Sequence, residues 1–478
     1  MAENGKMKRI LLILLTASFP AFASCAQPQG TVYEPVRYED GTPVTDDPEA
    51  EALFAQDRFL TDTTVTGKGD TLFIVRHASA YVRILLTGLP ADAGIGEILL
   101  VPTEGGIETL PVPLPDSGEF SLWMAKEPGG LPAAAAIARA SDGRSWSVRL
   151  KGLDLQAGTA YRWTGTFLPP DTPAADLRAT PLPASILDIE PGEYSGITHI
   201  SGNRYAVVHD KLKGGGIVFF SIPLGPDGTV TSVLMKQADG TAEAGGRARD
   251  CEGIAFVPST ATLYVSTESQ DIREYDLAGR ETGRMLRIPN EFSTKNIIAN
   301  RGFESLTYDD STGLFWTTTE SPLKKDTFLP RILRLQSFGS DGEPGEQFFY
   351  QIGEPARSSA GITAYVHGVP ALAALGDGRL IVLEREVYVP KGSFWDKLTD
   401  SFTQTDLYLV DPVHDPAGIL RKSLLCTFRT GALDLANFEG MCLGPTLPDG
   451  RRTLVLIADS QKGSGGLTNE YVKVVLLR

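Results

Sequence analysis

Between residues 184 and 478 the chain repeats one short pattern five times, and this repetition restricts its fold more than any other feature. Each copy is a pair of apolar, β-prone runs around a turn site, with polar residues at the outer ends. The copies run from Ser195-Gly196-Ile197 to His209-Asp210, from Glu252-Gly253-Ile254 to Glu268-Ser269, and from Glu304-Ser305-Leu306 to Glu320-Ser321. Two more run from Pro370-Ala371-Leu372 to Glu384-Arg385 and from Glu439-Gly440-Met441 to Asp459-Ser460. Their midpoints fall on Gly202/Asn203, Thr260, Thr312 beside Gly313, Asp377 between Gly376 and Gly378, and Asp449 beside Gly450. Gly, Asn and Asp tolerate the positive φ of tight turns, and flanks such as Tyr205–Val208 and Leu454–Ile457 suit strands. Each copy therefore reads as an antiparallel hairpin, open at its polar end. Residues placed symmetrically about a turn face one another at roughly 5 Å, so this reading sets Glu252 against Glu268 and Glu304 against Glu320.

Two further candidate strands follow each hairpin. They are Ile217–Ile222 and Val230–Met235, Ile272–Leu277 and Arg284–Ile288, Arg331–Leu335 and Gln347–Ile352, and Asp406–Val410 and Leu424–Phe428. The fifth hairpin is followed only by Tyr471–Leu477, and its missing outer strand is assigned to Ile186–Ile189. A ring of sheets closed from both chain ends is how β-propellers are completed. The expected architecture is all-β: a propeller of five blades, or six if a long connection hides another, over residues 184–478.

In a propeller the first strands line the central channel, so the hairpins' open ends converge on one mouth. There the sequence gathers Asp210, Glu252, Glu268, Glu304, Glu320, Glu384, Glu439 and Asp459, with Lys211, Arg301, Lys324, Arg385 and Lys462 beside them. So many carboxylates repel unless a cation, shared protons or basic groups intervene. Glu252, Glu304, Glu439 and Asp459 are the candidate ligands of a divalent metal, calcium above all, because hard cations take oxygen donors. His209, Asp210, Glu268, Glu320 and Glu384 are candidate catalytic groups, and the five basic residues are candidates to bind a small anionic substrate. Strand-end carboxylates also serve as acceptors for backbone N–H groups of a neighbouring blade, and Glu252, Glu304 and Glu439 stay open to that role.

Ahead of this region, Lys6, Lys8 and Arg9 precede a mostly apolar run, Ile10–Phe22, too short to span a bilayer. Residues 1–25 read as a signal peptide. Phe22-Ala23-Ser24-Cys25 is similar to a bacterial lipobox, which would make Cys25 a lipid attachment site, while the A-x-A at Ala21–Ala23 allows simple cleavage. Both place the mature chain outside the cytosol, on the envelope by a lipid anchor or released into the periplasm or medium. Residues 26–60, polar and Pro-rich, suit a tether. Residues 61–170 carry seven short alternating runs and read as an antiparallel β-sandwich, followed by a Pro-rich boundary near 170–183. The stretch Leu155–Tyr161 resembles the closing strand of fimbrillin-like sandwiches of Bacteroidetes surface proteins. Arg76-His77 after an apolar strand resembles the start of histidine phosphatases, but the all-β context that follows argues against it. Cys251, Cys426 and Cys442 have no metal-type spacing and read as buried apolar groups, with a Cys426–Cys442 pair as the alternative.

The phrases Asp250-Cys251-Glu252-Gly253-Ile254, Arg301-Gly302-Phe303-Glu304-Ser305, Glu320-Ser321-Pro322-Leu323, Leu383-Glu384-Arg385 and Asn437-Phe438-Glu439-Gly440 resemble the phytase-like (esterase-like activity of phytase) β-propeller family. The resemblance implies hydrolysis of phosphate or other small esters. The sequence lacks the G-x-S-x-G elbow of serine esterases, and 59 acidic against 44 basic residues, a net charge of −15, argue against a nucleic-acid partner. Two other classes fit the same residues: a non-catalytic ligand-binding or scaffold lipoprotein, and a glycosidase using paired carboxylates.

Overall fold

A computed structural model of the chain describes residues 31–45, 47–65, 71–90, 92–104, 108–110, 119–141, 144–167, 175–183, 192–210, 216–237, 250–326, 331–357, 362–415, 417–433, 435–459 and 471–478. Cys25, Lys211, Lys462 and the expected strand Ile186–Ile189 lie outside the described residues. The chain forms two compact units, Met1–Pro170 and Asp171–Arg478.

In the first unit two four-stranded sheets share one core. Val82, Ile84, Leu86 and Trp163 come from one sheet, and Ile98, Leu100, Ala136 and Val148 from the other. Pairing is not wholly antiparallel as expected: Thr159–Thr166 runs parallel to Ala80–Thr87. The strand Ala134–Ala140 was not legible, because an alanine run has little β-preference of its own. Residues 31–60 are not a plain tether. They carry the strands Thr31–Tyr33 and Arg37–Tyr38 and the helix Pro48–Phe54, whose first turn is capped by Asp47 accepting from Ala50 N. Val36, Tyr38 and Ala50 are buried in a small second core. His77 is buried too, with Nδ1 2.8 Å from the Tyr81 hydroxyl and 3.4 Å from Asp57. Burial alone would raise Asp57, but hydrogen bonds from His77, Ser79 and Tyr81 outweigh it and hold the carboxyl well below its ordinary range. That is a satisfied core histidine.

The described residues of the second unit form five four-stranded antiparallel sheets. The first four each follow chain order: Tyr194–Ser201 to Leu234–Gln237, Cys251–Val257 to Glu281–Met285, Phe303–Asp309 to Pro344–Gln351, and Ile362–Ala374 to Lys422–Gly431. The fifth joins Asn437–Thr446, Arg452–Asp459 and Val472–Leu477 to the strand Ala179–Pro181. Ala179–Pro181 thus takes the outer position that the sequence reading assigns to Ile186–Ile189. Five apolar clusters lie between successive sheets, and the last of them joins the fifth sheet back to the first. This ring is a β-propeller, with the innermost strand of each blade touching those of its two neighbours.

A blade is buried on both faces, so its strands read as continuous apolar runs rather than alternations. Val455 and Ile457 point into the cluster shared with the first blade, while Leu454, Leu456 and Ala458 point into the cluster shared with the fourth. Hairpin turns sit where the sequence places them. Gly202, Gly313, Gly376, Gly378 and Gly450 have positive φ, and the second turn uses Ala261 at φ 51. Cys251, Cys426 and Cys442 are all free thiols.

Candidate functional site

Every innermost strand is interrupted by a β-bulge at the same level. The register shifts between Tyr194 and Gly196, between Cys251 and Ile254, between Phe303 and Ser305, between Gly368 and Ala371, and between Phe438 and Gly440. A bulge sets two residues against one and re-aims a side chain. The residues inside these bulges include Ser195, Glu252, Glu304, Pro370 and Glu439. The acids also miss the symmetric pairing expected of them: on the turn side of the bulge Ile254 faces Val265 and Ser305 faces Thr318, already one residue off, and past it Cys251 faces Thr267 and Phe303 faces Thr319, so Glu252 is not opposite Glu268, nor Glu304 opposite Glu320.

Beyond each acid the strands come very close at the axis. A Cβ on Gly253 would lie 2.5 Å from Leu306 N, and one on Gly440 would lie 2.9 Å from Ser195 O. Only glycine permits that approach. The space left there is about 10 Å3, roughly a single water, lined by Gly196, Gly253, Ser305, Pro370 and Gly440 among others. The axis is therefore pinched shut below the bulges, and the cavity above them is blind at that end.

That cavity holds about 490 Å3, and among the described residues it is lined by six carboxylates, Asp210, Glu252, Glu304, Glu320, Glu439 and Asp459, with Arg301 and Arg385 as its cations. Arg385 is fully engaged at its tips. It donates to Glu439 at 2.5 Å, to Asn437 at 2.9 Å and to Glu320 at 2.6 Å, and its side chain is only 4% exposed. Arg301 pairs with the other oxygen of Glu320 but remains 30% exposed. Ser195 hydrogen-bonds Glu252.

The acids outnumber their partners, and burial together with this crowding raises three of them. Burial, then Asp459, pushes Glu439 up to about 8 against the pull of Arg385. Burial first, and neighbouring carboxylates second, drive Glu252 and Glu304 well above the usual range. Glu268 is raised by burial, hydrogen-bonds the Glu304 side chain, and accepts from Gly302 N at 3.0 Å. It stands one layer behind the lining.

Two candidates are not brought here. Strand residues alternate in direction, so Arg385 in the cavity sends Glu384 to the opposite face. There Glu384 accepts from Tyr350 Oη, Gly353 N and Lys422 Nζ and is 2% exposed. Lys324, in a short 3-10 turn, reaches the Lys295 carbonyl at 3.1 Å and does not line the cavity. One residue that the sequence reading did not single out joins the site: Glu193, His209 and Asp210 offer ligand atoms within 4.8 Å of one another and could hold a metal ion. Glu193 precedes the first hairpin, outside the repeat, so its sequence position carried no signal.

These observations define an all-β propeller with an acidic axial cavity. The family described as Phytase-like, Esterase-like activity of phytase, matches residues 189–461, and the chain belongs to that family. No curated relative matches the chain. Among solved structures it is similar to the WD40 β-propeller domain of Doa1, at 10% identity and TM-score 0.27, over 63% of this chain and 97% of that one.

Proposed function

We propose that the protein is a phosphate-ester hydrolase acting outside the cytosol, with a divalent cation, calcium in the first place, held by the acids of the axial cavity. One observation carries this reading: six carboxylates share a cavity with two arginines, and Arg385 is already engaged by Glu320, Glu439 and Asn437. Such a cavity repels an anionic ester until a cation enters, and its all-oxygen donors suit a hard ion better than one preferring sulfur or imidazole. Glu252, Glu304, Glu439, Asp459 and Asp210 would hold the ion, with His209 and Glu193 at its edge. When bound, such an ion polarises the ester oxygens and lowers the pKa of water. Arg301, oriented by Glu320 and still open to the cavity, faces the phosphoryl oxygens. Water adds to phosphorus, the bond from phosphorus to the alcohol oxygen breaks, and the alcohol leaves with a proton. Glu268, raised by burial and hydrogen-bonded to the Glu304 side chain, stands behind the ion's ligands and would hand that proton over and be recharged by the one the attacking water gives up. A lipid on Cys25 would hold the enzyme to the envelope.

The test is turnover of a chromogenic aryl phosphate by the full chain. Chelator should abolish it, calcium should restore it, and Glu304→Gln should reduce kcat/KM by about 100-fold or more with an unchanged circular-dichroism spectrum. Chelator-insensitive turnover of the phosphate would overturn the metal in this reading, chelator-insensitive cleavage of an aryl glycoside would overturn it in favour of a glycosidase, and calcium binding with no turnover of any ester would overturn it in favour of a binding protein.

A further inference from the structure

One wall of the cavity differs from the rest. The innermost hairpin of the fourth blade is long, Ile362–Ala374 against Leu380–Pro390, and continues past the level at which the other blades begin. Beyond the pair Gly368 and Arg385, its register sets Val366 opposite Val387 and Ala364 opposite Val389. Alternation puts Arg385, Val387 and Val389 on one face, and that face is the one lining the cavity, together with Ala364 and Val366. The polar residues of the extension, His367 and Glu386, lie on the other face, where Glu386 accepts from Ala356 N and Arg357 N. The three valines are only half-buried, so they keep apolar surface open to the cavity. Covering such surface with an apolar group is favourable. The same blade carries Pro370 in the bulge position that holds a carboxylate in the second, third and fifth blades. The apolar wall therefore rises over a bulge that carries no acid of its own.

Charge narrows the class further. Among the described residues the cavity's cations are Arg385, already engaged, and Arg301, and a polyphosphorylated ligand would bring several dianionic groups to them. A monoester brings one such group and leaves the rest of the molecule for the wall.

Resting on the hydrolase reading above, we propose that the substrate class is an amphiphilic monoester: one phosphate head at the acidic ring, joined to an aliphatic or aryl alcohol that packs on Ala364, Val366, Val387 and Val389. The experiment compares 1-naphthyl, hexyl and glycerol phosphates in calcium, using the full chain and the double variant Val366→Thr/Val387→Thr. Threonine keeps the shape and strand preference of valine but adds a hydroxyl to the wall. Naphthyl and hexyl phosphates should exceed glycerol phosphate by about tenfold or more in kcat/KM, and that ratio should fall at least threefold in the variant. Equal turnover of all three esters would overturn the amphiphile proposal and leave the hydrolase standing. If no ester is turned over, calorimetric titration with hexylphosphonate and methylphosphonate decides. Hexylphosphonate binding about tenfold tighter, with the gap closing in the variant, supports the wall, and equal or absent binding overturns it.

Discussion

With calcium removed, the protein should lose stability as pH rises from 5 to 8, opposite to what paired surface carboxylates produce. Glu439 is the quantified case: burial pushes its carboxyl up to about 8 from an ordinary 4.5. Between those values the native state holds a proton that the unfolded chain has released. The stabilisation is complete below pH 4.5 and is lost as pH climbs through 8. At about 1.4 kcal/mol per pH unit, Glu439 alone removes about 4 kcal/mol between pH 5 and 8. Glu252 and Glu304, raised by burial and then by neighbouring carboxylates, act in the same direction. His367, held below its ordinary range by burial, acts oppositely up to its unfolded value of 6.5, so the decline is steepest above that pH. A unit of roughly 300 residues unfolds with an entropy of about 0.6 kcal/mol per kelvin, which converts 4 kcal/mol to about 6 °C in Tm. Scanning calorimetry in chelator at pH 5, 6.5 and 8 reads this directly. Excess calcium should recover the loss at pH 8 and add little at pH 5, because the ion takes the place of the proton. A Tm that holds or rises between pH 6.5 and 8 in chelator would refute the buried acid cluster. An equal calcium shift at pH 5 and pH 8 would put the ion elsewhere.

Three further substitutions probe the same architecture. Arg385→Met strands Glu320 and Glu439 without their shared counter-ion and should cost about 3–5 kcal/mol in denaturant unfolding at pH 8. Adding Glu439→Gln should recover part of that loss, and strict additivity of the two changes would contradict the pairing. Glu304→Gln removes one charge from the crowded ring; in chelator at pH 8 it should raise Tm by a few degrees while weakening calcium binding about tenfold by calorimetry, and a lower Tm would argue against repulsion there. Gly253→Ala forces a Cβ to within 2.5 Å of Leu306 N and should lower the unfolding free energy read from urea titration by about 2–3 kcal/mol, whereas Gly130→Ala, which meets nothing within 4 Å, should leave it nearly unchanged.

Much of the ring was legible because hairpin turns are local. Gly202, Gly313, Gly376 with Gly378, and Gly450 mark their own positions, and strands such as Leu263–Val265 lie beside them. Membership of the cavity was partly legible for the same reason: Asp210, Glu252, Glu304, Glu320, Glu439, Asp459, Arg301 and Arg385 sit at hairpin open ends and meet at the axis. The pairing of the acids was not, since the turns set the ladder one residue off symmetry and a single inserted residue in each innermost strand moves Glu252 and Glu304 one further, and nothing in Glu-Gly or Glu-Ser announces a bulge without the neighbouring blade that crowds it. Glu384 and Arg385 are adjacent in sequence, and only the register decides which of them faces the axis. The closing strand Ala179–Pro181 was hidden in a proline-marked stretch: proline at a strand end is compatible with an outer edge position, where one ladder donor can be spared.

That closing strand has a consequence for how the molecule comes into being. Thr180 is made long before Leu476, its partner across the fifth blade. Four blades can assemble from contiguous stretches as the polypeptide emerges, but the fifth must wait for both termini of the unit to meet, the slowest kind of contact to form. Glu439 and Asp459 belong to that final blade. A product stalled or clipped before that blade therefore lacks a completed acid ring.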